Sequence, residues 1–273
     1  MNVAVIGCGY IGVEVARLWQ QSGFFVTATT TSPERVTALE AIASQVVVLK
    51  GNNLVNLQAV VQAQETVLLS VGAANPNVYA ETYLQTAQTL ISVLKTSSVK
   101  QIIYTGSYAV YGDRGGEWVD ELSSVAPANS NGQILCDTEQ VLLSASTADR
   151  NVCILRLGGI YGPGRELAKI FGRVAGTTRP GKGDDAVNWI HRDDIVTAIE
   201  YAWTHKLQGI YNLVDDTHLN SRELLDSVCE QHHLPKVRWD ESLKSTRPYN
   251  ARVSNQKIKD TGYKLIHPQM SRR

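Results

Sequence analysis

Val3 to Ile6 is a short apolar, β-branched run that breaks into glycines, and from Val13 to Trp19 the apolar residues recur at helical spacing. Strand, glycine-rich turn and helix therefore open the chain. Further buried strands are predicted at Phe25 to Thr29, Val46 to Leu49, Thr66 to Ser70, Gln101 to Thr105 and Asn151 to Leu157. Helical spacing marks Thr82 to Leu94, Gly132 to Ser144 and Ser221 to Gln231, and Pro33 is placed to start a helix capped by Ser32. Between the later elements, Ser123 to Asn131 reads as a loop. Strands that alternate with helices imply an α/β fold with a doubly wound parallel sheet. After Leu157 glycines and prolines cluster (Gly162, Pro163, Gly164, Pro180, Gly181, Gly183). The expected organisation is a first domain over 1–157 and a smaller C-terminal α/β lobe over 158–273, interleaved with the first as one structural unit.

Gly7-Cys8-Gly9-Tyr10-Ile11-Gly12 spells G-x-G-x-x-G between the first strand and the first helix. That context suits a dinucleotide: the glycines allow a tight turn, close approach to the pyrophosphate and close helix packing, and the helix N-terminus favours anions. The alternative is a glycine-rich turn without a ligand. A cofactor with a free ribose 2′-hydroxyl usually meets an acidic residue about 20 positions on, at the end of the second strand. Here that strand ends in Thr29, Thr30, Thr31 and Ser32, followed by Arg35. Hydroxyls and a cation suit a 2′-phosphate, so NADP(H) is favoured over NAD(H). On the bland reading the threonines cap a helix and Arg35 is a solvated charge. Gly7, Gly9, Tyr10, Ile11, Gly12, Thr30, Thr31 and Arg35 are the expected cofactor residues, joined by Ser70 and Gly72 after the fourth strand.

Composition narrows the partners. Lys plus Arg and Asp plus Glu are both 26, for a formal net charge of +0 over 273 residues, so no global field draws the chain to nucleic acid or an anionic membrane. A small-molecule substrate is expected. The apolar runs fall far short of the roughly 20 residues of a membrane helix. Cys8, Cys136, Cys153 and Cys229 form no C-x-x-C pair, and no signal-like segment precedes the first strand, which points to the cytoplasm. No metal-ligand spacing is present in the sequence, so no metal is expected.

Five further segments carry a resemblance. They are Gly106-Ser107-Tyr108-Ala109-Val110-Tyr111-Gly112, the run Leu155-Arg156-Leu157-Gly158-Gly159-Ile160-Tyr161-Gly162-Pro163-Gly164, Asn188-Trp189-Ile190-His191-Arg192-Asp193-Asp194, Tyr211 to Asp216, and Val253-Ser254-Asn255. With the glycine motif, these resemble the extended and atypical short-chain dehydrogenase/reductases, the NAD(P)-dependent epimerase/dehydratase group. The resemblance implies a Rossmann-type cofactor domain, a substrate held by the C-terminal lobe, and hydride transfer helped by a Ser, a Tyr and a Lys. The G-x-G-x-x-G spacing looks like the atypical subgroup. A homodimer through paired helices is common in the resembling family.

The catalytic positions depart from the pattern. Aligned by Glu139-Gln140 and by the distance from Ser107, the Tyr position holds Asn131 and the Lys position Leu135. Neither titrates. A tyrosine working near neutrality needs a downward shift of about 3 units, roughly 4 kcal/mol of anion stabilisation that Leu135 cannot supply. Ser107 matches the family's serine, either as a substrate ligand or as a structural strand end. Tyr108 or Tyr111 could replace the missing acid, although an aromatic there more often packs. Cys136 reads as a small buried hydrophobe before a nucleophile, and His232-His233 as a solvated helix end. His191 with Asp193 and Asp194 could suggest metal or acid/base work, but the resemblance implies structural residues that brace the C-terminal lobe against the core; Arg156 reads as a buried ion-pair partner and Arg165 as a substrate contact. Arg173, Arg179 and Lys182 could meet an anionic substrate such as a nucleotide-sugar or could simply be surface charges. Two functions remain: an enzyme with a replacement proton donor acting on a small polar or nucleotide-bearing substrate, and a non-catalytic NADP(H)-binding sensor or scaffold.

Overall fold

The computed structural model describes residues 1–270. In chain order the strands and helices are β1 (Asn2–Ile6), α1 (Gly12–Gln21), β2 (Phe25–Thr30), α2 (Val36–Glu40), β3 (Gln45–Val48), α3 (Leu54–Val61), β4 (Thr66–Leu69), α4 (Thr86–Val93) and β5 (Gln101–Ser107). They continue with β6 (Asp113–Val119), α5 (Ser130–Leu143), β7 (Asn151–Leu157), β8 (Gly159–Tyr161), α6 (Leu167–Gly172), β9 (Thr178–Pro180), β10 (Trp189–His191) and α7 (Arg192–Thr204). The last are β11 (Gly209–Leu213), α8 (Ser221–Gln231), β12 (Arg238–Asp240), β13 (Asn250–Val253) and α9 (Gln256–Asp260).

Seven strands form one parallel sheet in the order β11-β7-β5-β4-β1-β2-β3. The order reverses between β1 and β4, whose neighbours Ser70 and Gly7 begin the loops at the carboxyl ends; ligands of doubly wound sheets bind at such switch points. Every residue of β4 and four of the five in β1 are buried, as expected for strands covered on both faces. Ala4 and Ile6, Val67 and Leu69, Ile102 and Tyr104 share one side-chain set by the two-residue period, and they pack with Leu57, Val61, Leu90 and Leu142 into one core.

Contacts divide the chain into two compact units. The first holds Met1–Gly106, Ser130–Leu155 and Val196–Ile210; the second holds Ser107–Asn129, Arg156–Ile195 and the chain from Tyr211. The second has three parallel strand pairs (β8 with β10, β9 with β12, β6 with β13) and a core that includes Tyr161, Leu167, Val187, Leu224 and Val228. Asn220 and Glu223 close a reciprocal capping box on α8. No helix among the described residues is long and apolar enough to cross a membrane.

Three local expectations are corrected. From Pro33 the chain makes only a 3₁₀ turn, Pro33–Arg35, before the five-residue α2, and Ser32 makes no side-chain cap bond. Instead the Ser32 N–H donates to Thr30 Oγ1 (3.1 Å). A helix this short adds little dipole to an anion site. Thr82 to Leu94 is not one regular helix: Ala80–Gln85 is a π-helical stretch ahead of α4, where the Thr86 hydroxyl donates to the Glu81 carbonyl five residues back (3.3 Å). The loop expected to reach Asn131 ends earlier, since α5 begins at Ser130.

Candidate functional site

At the carboxyl ends of β1, β2 and β4 the first unit opens into a cleft of about 320 Å³. Gly7 and Gly9 line it with Thr29, Thr30, Thr31, Arg35, Ser70 and Gly72. Tyr10, Ile11 and Gly12 stand just behind, where α1 starts; Ile11 is its N-cap and makes no side-chain cap bond.

Local chemistry fixes this turn. The Gly7 N–H donates to Thr29 Oγ1 (3.0 Å), and the Cys8 N–H to the Thr29 carbonyl (2.8 Å), so the glycine turn is stitched to the end of β2. Gly7 sits at φ +86, and a Cβ there would lie 2.6 Å from the Ser70 carbonyl oxygen. Only glycine fits. A Cβ on Gly12 would meet the Gly7 carbonyl at 2.7 Å, whereas one on Gly9 would meet nothing within 4 Å. Gly9 therefore borders open space, as does Gly72.

The threonines divide their labour. Thr29 and Thr30 are buried and bonded to Gly7 and Ser32, while Thr31 is exposed at the rim. Burial pushes the Cys8 thiol up to about 11, against the pull of the Arg35 charge, so this cysteine is an inert wall of the cleft. The residues that sequence reading missed are Lys50, Gly51, Asn52 and Thr86. Lys50 pairs with Glu81 (2.9 Å) at the same cleft. The available signal was Gly51-Asn52-Asn53 directly after a strand, a turn at the sheet's carboxyl edge.

The expected catalytic residues have their own surroundings. Asn131 and Leu135 lie one turn apart on α5, with Leu135 buried. Ser107 ends β5, and its Oγ accepts the Ala109 N–H (3.2 Å). Tyr111 is fully buried, its hydroxyl donates to Asn212 Oδ1 (2.8 Å), and the Arg156 guanidinium lies over its ring at 4.8 Å. Burial raises its pKa despite that cation. A proton shuttle from Tyr111 would first have to open the Asn212 contact.

A smaller cavity of about 100 Å³ lies within the second unit, between Trp189, Trp239 and Phe171, with Arg179 and Arg247 in its wall. Arg247 donates to Tyr108 Oη (3.0 Å), Ser221 Oγ (3.0 Å) and the Tyr249 carbonyl (3.1 Å). Of the basic residues singled out from sequence, Arg179 lines this cavity; Arg165, Arg173 and Lys182 are exposed. Cys136 is buried on α5, and Asp194 accepts the N–H groups of Ile266 and His267 (2.5 and 3.1 Å).

Comparison with known proteins settles the family. The model of the NAD dependent epimerase/dehydratase family matches residues 3–213. This chain belongs to that family. Protein YeeZ of Escherichia coli K12 is 30% identical over 223 residues, covering 80% of this chain and 78% of its own. Among solved structures, MoeE5 in complex with UDP-glucose and NAD superposes with a TM-score of 0.82 at 19% identity, over 100% of this chain and 95% of that one. The human epimerase family protein SDR39U1, solved with NADPH, gives 0.77 at 17% identity, over 98% and 96%. The seven-stranded parallel sheet of this epimerase/dehydratase family member thus has the Rossmann-type fold of these solved structures.

Proposed function

We propose that this chain is an NADP(H)-preferring oxidoreductase or epimerase-type enzyme acting on a small polar or nucleotide-sugar-like substrate without the usual Tyr and Lys pair. One observation carries the reading: at the glycine turn, the end of β2 offers Thr30, Thr31 and Arg35 to the cleft, and Glu34 lies outside its lining. The cleft passes a test of fit for a dinucleotide, because Gly9 and Gly72 leave open the space that a side chain would fill. The α1 N-terminus after Gly9 would hold the pyrophosphate, with Thr31 and Arg35 meeting a 2′-phosphate, and Ser70 and Gly72 would border the rest of the cofactor. When bound, the nicotinamide supplies or accepts hydride. In the relatives' structures NAD accompanies UDP-glucose and NADPH accompanies SDR39U1, which supports a dinucleotide without choosing between the two.

On the protein side, the Ser107 hydroxyl would hold the reacting oxygen of the substrate. Asn131 and Leu135 can orient but not exchange a proton. The second unit's cavity, lined by Arg179 and Arg247 and by the carboxylate of Asp185, would take a polar substrate group, its guanidinium groups suited to an anionic part. The absence of a titratable side chain at 131 and 135 supports a second reading, a non-catalytic NADP(H)-binding protein.

Calorimetric titration with NADPH and with NADH tests the cofactor. The expected outcome is tighter NADPH binding, with Arg35→Ala weakening NADPH by about 10-fold and leaving NADH near unchanged, since a charge-assisted bond is worth about 1.5 kcal/mol. Equal affinities, or an Arg35→Ala effect on both, sink the preference. Oxidation of bound NADPH by carbonyl substrates and nucleotide-sugars then separates enzyme from binder.

A further inference from the structure

We propose that His191, Asp193 and His267, in the second unit, form a site for a divalent transition-metal ion of the zinc class. One ligand atom from each lies within 4.8 Å of the others. Asp193 Oδ2 stands 3.7 Å from His191 Nδ1 and 3.9 Å from His267 Nε2. Zinc bonds of about 2.0–2.1 Å place tetrahedral ligands about 3.3 Å apart, so the three atoms need to close by only a fraction of their present separation to share an ion. Two of the side chains can make that movement: Asp193 and His267 are 44% and 31% exposed.

The backbone holds the three residues in place without any ion. His191 ends β10 in register with Tyr161 of β8, and its ring lies edge-on to the Tyr161 ring at 5.1 Å. Asp193 sits in the first turn of α7. The His267 N–H donates to the Asp194 carboxylate, which fixes the incoming segment beside α7 and brings the two imidazole centroids to 3.8 Å. Arg192 donates through Nε and Nη2 to Asp193 Oδ1, both at 3.3 Å. Asp193 Oδ2 is the oxygen that lies near both histidines, and a hydrogen-bonded outer sphere of this kind orients a metal-binding carboxylate. His191 Nδ1 now accepts the Asp193 N–H at 3.2 Å, a contact the ion would replace.

Donor chemistry selects the ion. Two imidazoles with one carboxylate suit zinc, cobalt or nickel and not magnesium or calcium, which take oxygen ligands. Three protein ligands leave a fourth position for water. Bound metal would tie the segment around His267 to the start of α7.

The test uses the full chain, stripped with a chelator and dialysed, then titrated with Zn²⁺ by calorimetry and with Co²⁺ by visible absorption. One ion per chain is expected, with His267→Ala and Asp193→Asn each weakening Zn²⁺ by about 100-fold or more, since even outer-sphere changes cost 10–100-fold. The double variant His232→Ala/His233→Ala, at the end of α8, should bind as the wild type does. Melting curves of the metal-free variants report whether the fold survives. Histidine ring NMR of the wild type gives a readout free of substitutions: Zn²⁺ should shift two of the six histidines, those lost in His191→Gln and His267→Ala. No binding by the wild type, binding unchanged in His267→Ala, or shifts confined to other histidines overturns the proposal.

Discussion

Asp215 follows β11 into the interior of the second unit, 2% exposed. Its Oδ1 accepts the Thr217 N–H (2.9 Å), and its Oδ2 meets no donor among the described residues. Burial pushes this carboxyl up to about 7, helped by the charges of Asp216 and Asp194. The folded state thus holds a proton that the unfolded chain releases near pH 4. Stability should fall as pH rises from about 4 to about 7 and level off above, by at most about 4 kcal/mol from this group. Asp215→Asn removes the titration, so urea unfolding of variant and wild type should diverge with pH across that window. A pH-independent gap between them refutes the buried acid. At Asn131 and Leu135 the question is chemical. Asn131→Tyr with Leu135→Lys should raise NADPH-dependent turnover if the remaining site still holds a substrate, and leave it at background if the chain is only a binder. Leu135 is buried on α5, so the melting temperature of the double variant must be checked first.

At the scale of elements, the turn between β1 and α1 separates folding from binding by two neighbouring glycines. Gly7→Ala forces a side chain onto positive φ and against the Ser70 carbonyl. It should cost about 2 kcal/mol or more and lower the melting temperature by several degrees. Gly9→Ala meets no protein atom within 4 Å, so its melting curve should match wild type while dinucleotide affinity drops at least about 10-fold, the loss of one charge-assisted contact. Equal effects in the two variants would mean that Gly9 does not face the ligand. This turn was legible in the sequence because three glycines at fixed spacing leave few alternatives, and β1, β4, β5 and β7 were legible because buried parallel strands are short, mostly apolar runs, whereas β2, Phe-Val-Thr-Ala-Thr-Thr, was marked by its β-branched residues. Other elements gave weaker signals. In α3, Leu54 and Val55 point outward while Leu57, Val60 and Val61 face the core, so its apolar residues do not advertise a single stripe. The π-helical stretch before α4 depends on one threonine hydroxyl reaching a carbonyl five residues back, which no periodicity records.

Across the whole molecule, the family was carried by short segments far apart in sequence, and the chemistry that joins them was not. Arg247 reaches Tyr108 across 139 positions and His267 reaches Asp194 across 73; spacing rules see neither, because they read ligands near one another in the chain. The sheet order has a consequence of another kind. Its two edges are β3 and β11, of four and five residues. Neither edge is long enough to offer an extended ladder to a foreign strand, and on β11 the Asn212 N–H is already taken by Glu121 Oε1 (2.6 Å). Short edges resist strand addition from other chains. The chain should therefore tolerate concentration without forming ordered β-aggregates, and lengthening β3 with apolar residues would be the quickest way to lose that protection.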